Sequence, residues 1–168
     1  LQVSGMTNPA TDDVGSTMKI IVCDLGATKI RVGTTHGDGS RFRQHPTPQD
    51  RYGILSCIEN LVEYQRAQYS PAPRQLVVGC PGLIDETGFV HHALYVNLSG
   101  TDLKSELENR LKLKVVVLND AKLQASGLLD EFSSFVFFSL GSGVGGATAL
   151  DHKLVYGAKG FAGELGHF

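Results

Sequence analysis

Lys114–Asn119 (KVVVLN) is apolar at every position between its two polar ends. A strand with one wet face alternates apolar and polar side chains, so an unbroken apolar run is what burial on both faces demands. Such a strand sits inside a sheet, and a helical segment follows it directly over residues 121–129. The order strand then helix recurs along the chain, which points to an α/β architecture.

The other segments agree. Residues 19–24 (KIIVCD) and 29–35 (KIRVGTT) are short β-branched runs around Leu25-Gly26-Ala27-Thr28, as in a β-hairpin. Gly37-Asp38-Gly39 is a turn signal, after which residues 40–45 return as a third antiparallel strand. Ile54, Leu55, Ile58, Leu61, Val62 and Tyr69 recur at helical spacing between Asp50 and Pro71, and Leu103, Leu107 and Leu111 mark a second helix opened by Thr101 or Asp102. Strands are expected at 75–80 and 134–140. Residues 83–90 hold a Thr87-Gly88 turn, and 147–150 with 153–156 form a hairpin around Asp151-His152. Residues 1–17 read as a loose polar tail without the basic start and apolar middle of a secretory signal.

Composition removes several function classes. Fifteen Lys and Arg against seventeen Asp and Glu leave a formal charge of −2 without a long basic run, so nucleic acid is not an expected partner. No apolar stretch approaches the roughly 18 residues that cross a bilayer, so no membrane is expected either. Cys23, Cys57 and Cys80 are odd in number and form no CxxC pair, which fits a reducing, cytoplasmic setting better than a disulfide framework or a thiolate zinc site.

Four places could carry chemistry. Gly141-Ser142-Gly143-Val144-Gly145-Gly146 follows a strand and matches GxGxxG, but the residues behind it look like a hairpin rather than the helix of a dinucleotide fold. It also fails as a P-loop, since Ala147 stands where the lysine must be. A tight glycine turn whose bare amides face an anion remains, as does an ordinary turn. Asp24-Leu25-Gly26-Ala27-Thr28-Lys29 is a second such bend, in which a carboxylate can hold Mg²⁺ and Thr28 can meet phosphate oxygens; the plain alternative is a solvated turn with an Asp24–Lys29 charge pair. Asn119-Asp120 stands where a buried strand gives way to a helix, so Asp120 is either a base that takes a hydroxyl proton or a helix N-cap. Glu164 and His167, in a glycine-rich loop, can accept hydrogen bonds from a polyol. His91-His92 lacks metal spacing and receives no role.

DLGATK at 24–29, CPGLID at 80–85, LND at 118–120, and SLGSGVGGA followed by AGELGH over 139–167 stand in one order. Together they resemble the ROK family of sugar kinases (repressors, open reading frames and kinases), within the actin-like, ribonuclease H-like and hexokinase-like ATPase superfamily. The resemblance implies a domain with a mixed five-stranded sheet over 18–132 and the opening β-hairpin of a second, similar domain over 133–168. It implies closure over ATP, Mg²⁺ and a hexose or N-acetylhexosamine. Asp24, Gly26, Ala27, Thr28 and Lys29 would form one phosphate turn, with Asp24 near the magnesium and bound to it through water; Gly141, Ser142, Gly143, Gly145 and Gly146 would form the other. Asp120 would be the base, and Gly82, Asn97, Asn119, Asp120, Glu164 and His167 would contact the sugar.

Departures from the pattern shape the expectation. Ala27 replaces a glycine and Ser142 a threonine, both mild changes. In zinc-containing members a cysteine motif follows the histidine equivalent to His167, so Zn²⁺ is expected only in a longer protein carrying that motif. The chain reads as about the first half of such a kinase, with strand edges that invite a homo-oligomer. No winged-helix or helix-turn-helix segment precedes Met18, which disfavours the DNA-binding branch. The competing readings are a non-catalytic sugar-binding or regulatory module and, more weakly, a dinucleotide enzyme using Gly141–Gly146.

Overall fold

The computed structural model describes residues 19–35, 42–141 and 143–165. These residues group into two compact units, Lys19–Asp120 and 121–165.

The first unit is built on the expected mixed sheet. Strands β1 (Ile21–Leu25), β2 (Lys29–Thr34) and β3 (Arg43–Pro46) form an antiparallel meander; β4 (Gln75–Cys80) lies parallel to β1, and β8 (Lys114–Asn119) parallel to β4. The order is β3-β2-β1-β4-β8. Between β4 and β8 run the short strands β5 (Leu83–Ile84), β6 (Phe89–His92) and β7 (Thr101–Asp102), a three-stranded sheet of their own. Two-residue strands have no readable period, and the pairing of β6 with β7 was not anticipated.

Helix α1 (Arg51–Arg66) starts where the Asp50 carboxylate accepts the Gly53 N–H at 2.9 Å. It buries Ile54, Leu55, Ile58 and Val62 against the sheet, each burial favourable by about 1.5–3 kcal/mol. Its last regular turn ends at Arg66 rather than at Tyr69. The chain goes on in tighter turns, with Gln68 N–H donating to Gln65 O and Tyr69 N–H to Arg66 O, while the Tyr69 hydroxyl reaches Thr34 Oγ1 at 2.8 Å. Apolar spacing persists past the helix because Tyr69 still faces the sheet. Helix α2 (Leu103–Leu111) buries Leu103, Leu107 and Leu111 and is capped by Asp102, which accepts the Ser105 N–H. Val115, Val117 and Leu118 of β8 are buried as expected, but β8 is the last strand in the sheet order rather than an inner one, its apolar run being covered by packing on its faces and not by strands on both sides.

Helix α3 (Asp120–Ser126) then leads into the second unit. Strands β9 (Phe135–Leu140), β10 (Val144–Leu150) and β11 (Lys153–Leu154) form an antiparallel sheet in that order. Asp151 and His152 both have positive φ, 50° and 59°, as a two-residue type I′ hairpin turn requires. One correction falls here. The glycine turn is closed by Gly141 N–H on Gly143 O at 3.0 Å, whereas Gly145 and Gly146 lie inside β10, paired with Ser139 and Phe138. The reason is space: a Cβ on Gly146 would stand 2.7 Å from Leu165 Cδ1 and 2.8 Å from Gly163 O. With a strand after the glycines, the dinucleotide reading loses the helix it needs.

Candidate functional site

The bend between β1 and β2 is a tight turn in which Gly26 N–H donates to Lys29 O at 2.9 Å. Gly26 is required there, since a Cβ would stand 3.0 Å from that same oxygen. Thr28 and Lys29 are exposed, and Ala27 faces a cleft of about 330 Å³ that Asn97 also lines. Thr47, which sequence reasoning missed, fixes this turn from below. It is 8% exposed, its N–H donates to Thr28 O at 3.0 Å, and its hydroxyl donates to Gly26 O at 2.7 Å. Two bonds from one residue thus hold both ends of the Gly26–Thr28 segment, and no sequence pattern marks Thr47 because its partners lie about twenty positions away.

Asp24 points away from the core side of β1, and its ion pair is with Arg31 Nη1 at 3.1 Å, not with Lys29. The register explains this, as Asp24 and Arg31 face each other across the β1–β2 pair. Both side chains are about half exposed, so the pair contributes no more than about 1 kcal/mol. A single accessible carboxylate beside a flexible guanidinium fits Mg²⁺ held largely by water and phosphate oxygens rather than by a protein cage.

At the C-terminal ends of β4 and β8 three of the anticipated residues come together. Cys80 and Asn119 are register partners, and Asn119 Nδ2 donates to Gly82 O at 3.2 Å. Gly82 has φ 126°, and a Cβ there would stand 2.2 Å from His92 O, so no other residue fits. Asp120 is the first residue of α3 rather than the residue before it, half-buried beside Asn119. Burial first, and the Asp120 carboxylate second, push the Cys80 thiol well above its ordinary range, which keeps it protonated and unreactive at neutral pH. Cys23 is held protonated in the same way, chiefly by burial.

His91, given no role from sequence, binds Asp85 Oδ2 through Nε2 at 2.7 Å. Burial raises the Asp85 pKa, but hydrogen bonds from the Thr87 hydroxyl, His91, and the N–H groups of Phe89 and Thr87 outweigh it and bring the group to about 2. This carboxylate therefore organises the β5–β6 hairpin directly after Gly82.

In the second unit, Gly141 and Gly143 are exposed, and no described atom lies within 4 Å of a Cβ placed on Gly141. Glu164 is half-buried in the loop after β11. Gly163 lies against β10, where a Cβ would stand 2.9 Å from Gly146 O. Lys122, also missed, is 2% exposed and donates from Nζ to Gly160 O at 2.8 Å. A signal existed: Ala121, Lys122, Ala125 and Leu129 share a helical face, which places the lysine on the buried side. Ser142 and His167 lie outside the described residues, and among those described no three His, Cys, Asp or Glu side chains cluster as metal ligands would. No described helix is long and apolar enough to cross a membrane.

Comparison with known proteins gives this geometry a family. The chain is 31% identical over 157 residues to a glucokinase of Halalkalibacterium halodurans, covering 86% of this chain and 48% of that one. It is 29% identical to a xylose repressor of Caldicellulosiruptor bescii, covering 92% and 41%. Its structure matches a ROK family glucokinase from Streptomyces griseus, solved with glucose and AMPPNP, with a TM-score of 0.82 at 28% identity, covering 89% and 50%. The chain thus spans about half the length of the relatives it matches. The ROK family signature runs over residues 20–168, through both glycine bends, the Asn119-Asp120 step and the Glu164 loop, and the chain belongs to that family.

Proposed function

We propose that this chain carries the base, the phosphate turns and part of the sugar site of an ATP-dependent kinase acting on a hexose or N-acetylhexosamine. The observation that carries the reading is the Asn119–Gly82 bond, which holds the Asn119 side chain against the Gly82 turn directly before Asp120, at the carboxyl ends of β4 and β8 where α/β folds bind ligands. Asp120 accepts the proton of a sugar hydroxyl as that oxygen bonds to the γ-phosphorus; the bond from phosphorus to the bridging oxygen breaks, and ADP leaves with the electron pair. The Gly26–Lys29 turn and the Gly141–Gly143 turn offer backbone N–H groups to phosphate oxygens, and Gly141, facing open space, leaves room for close approach. Mg²⁺, when bound near Asp24, neutralises charge on the phosphates. Gly82, Asn97, Asn119, Glu164 and His167 contact sugar hydroxyls.

Three further parts of the reading rest on the same observations. The domain reading takes residues 18–132 as the first domain and 133–168 as the opening of the second; the separate β9–β10–β11 meander supports a second domain, while the compact units divide earlier, after Asp120, and group α3 with that meander. Exposed Val136, Phe138, Leu140 and Val144 support self-association. The free Cys23, Cys57 and Cys80 support a cytoplasmic setting.

The test is ADP release from ATP-Mg²⁺ across a panel of hexoses and N-acetylhexosamines, with Asp120→Asn alongside. Sugar-dependent turnover should fall by roughly 10²–10⁴-fold in the variant while sugar binding persists. Undiminished turnover refutes the base. The similarity to a xylose repressor favours one second reading, a sugar-binding regulatory module. Sugar binding without any ADP release in the unaltered protein would select it.

A further inference from the structure

We propose that Lys122 is a positioning residue of the sugar site, tying the glycine-rich loop that bears Glu164 to the first turn of α3; the inference rests on the kinase reading above. Its ammonium is almost wholly buried, donates to Gly160 O at 2.8 Å and stands 5.9 Å from the centre of the Tyr156 ring. Along the loop Ala162 N–H donates to Tyr156 O at 2.9 Å, Gly160 N–H to Gly157 O at 3.5 Å, and Leu165 N–H to Gly163 O at 2.7 Å. Gly157, Gly160 and Gly163 all have positive φ, so the backbone conformation is one that other residues would resist and that glycine itself holds only weakly. Such a loop takes its shape from what it is fastened to. One fastening is the back-to-back contact of Gly163 with Gly146, and another is Lys122.

A buried ammonium is costly, and a carbonyl acceptor alone does not offset it. Glu164 supplies the opposite charge: burial lowers the Lys122 pKa, and the Glu164 carboxylate works against that fall. The attraction is mutual, so the cation that anchors the loop also biases where the Glu164 carboxylate stands. Methionine at position 122 would fill a similar space but would leave Gly160 O without this donor and Glu164 without the cation.

The test is a kinetic cycle of Lys122→Met, Glu164→Gln and the double variant, read beside amide hydrogen exchange. Lys122→Met should raise KM for the sugar by roughly 10- to 100-fold, with KM for ATP within about twofold and kcat within about threefold. In the Glu164→Gln background the same substitution should add less than about threefold, because one residue acts through the other. Exchange at residues 157–164 should quicken in Lys122→Met while β9 and β10 stay protected. An unchanged sugar KM in an active Lys122→Met protein, additive effects in the cycle, or unchanged exchange across 157–164 each overturns the proposal. Absence of sugar-dependent turnover and of sugar binding in the unaltered protein overturns the kinase reading, and the sugar role of Lys122 with it. The exchange result identifies which of the two failed.

Discussion

Gly145 and Gly146 are adjacent, lie in the same strand, and face opposite sides of it, so adding one methyl group to each separates two explanations of the glycine cluster. On Gly146 the new carbon would stand 2.7 Å from Leu165 Cδ1, 2.8 Å from Leu165 Cγ and 2.8 Å from Gly163 O. The leucine tip can rotate, but the carbonyl belongs to the loop backbone and moves only if the loop does. Overpacking of this kind costs about 1–3 kcal/mol. On Gly145 the carbon would meet Ala121 Cβ at 3.1 Å, which a shift of a few tenths of an ångström relieves. Replacing a strand glycine also returns roughly 0.5–1 kcal/mol of backbone entropy, so Gly145→Ala is close to neutral. In a chain of this size about 1 kcal/mol moves Tm by 2–4 °C. The same entropy is returned at Gly146, leaving a net loss of up to about 2.5 kcal/mol, so Gly146→Ala should lose up to roughly 10 °C in thermal unfolding and in any case more than Gly145→Ala, which should lose less than about 3 °C. Gly146→Ala should also raise the sugar KM, because the displaced backbone at Gly163 precedes Glu164 directly. Equal stability of the two variants, or a larger loss from Gly145→Ala, would refute the claim that Gly146 is a packing glycine.

Asp85 carries the pH dependence. Its pKa is depressed to about 2, so its contribution is fully present above the ordinary carboxylate pKa near 3.8 and is lost as pH falls from there through about 2. At 1.4 kcal/mol per tenfold the drop corresponds to about 2 kcal/mol, and solvent screening of a side chain 24% exposed reduces this to about 1 kcal/mol. Urea unfolding should show Asp85→Asn less stable by about that amount at pH 7 and indistinguishable near pH 2; a gap that widens on acidification would be contrary to the assignment. Thr47→Val removes one neutral hydrogen bond, net about 1 kcal/mol, from beneath the first phosphate turn. It should raise KM for ATP about fivefold and leave KM for the sugar alone, and an effect on the sugar instead would reassign Thr47.

Regular elements were legible because their signals are local. The unbroken apolar run of β8 and the helical spacing of Ile54, Ile58 and Val62 read directly as buried strand and amphipathic helix, and the Gly26 turn followed from its neighbours. Glycine was the ambiguous letter. It marks a reversing backbone at 141 and 143 but the close approach of a second segment at 146, and the sequence looks alike in both cases until Leu165 and Gly163 are known to lie opposite. Charge pairing failed for a related reason: proximity in sequence suggested Lys29 for Asp24, whereas strand register presents Arg31. Thr47 was out of reach because its role exists only in bonds to Thr28 and Gly26, whereas the helical spacing around Lys122 marks its burial but not its bond to Gly160.

Those two residues also divide the proposed chemistry. Thr47 holds the turn proposed to meet phosphates, and Lys122 the loop proposed to meet sugar, so their variants should act on different substrates. Helix α3 belongs to both tasks, since it begins at Asp120 and reaches Lys122 two positions later. An α-helix rises 1.5 Å per residue and is stiff over one turn, so the backbone at the base and the backbone at the tether keep a fixed separation of about 3 Å along the axis. A base must lie within hydrogen-bond reach of the proton it accepts, and an error of about 1 Å in substrate position can cost 10²-fold in rate. Under the proposal the tether at Lys122 holds the Glu164 loop against α3 within the second unit, so loosening it should weaken sugar binding and leave the phosphate turn under Thr47 unaffected.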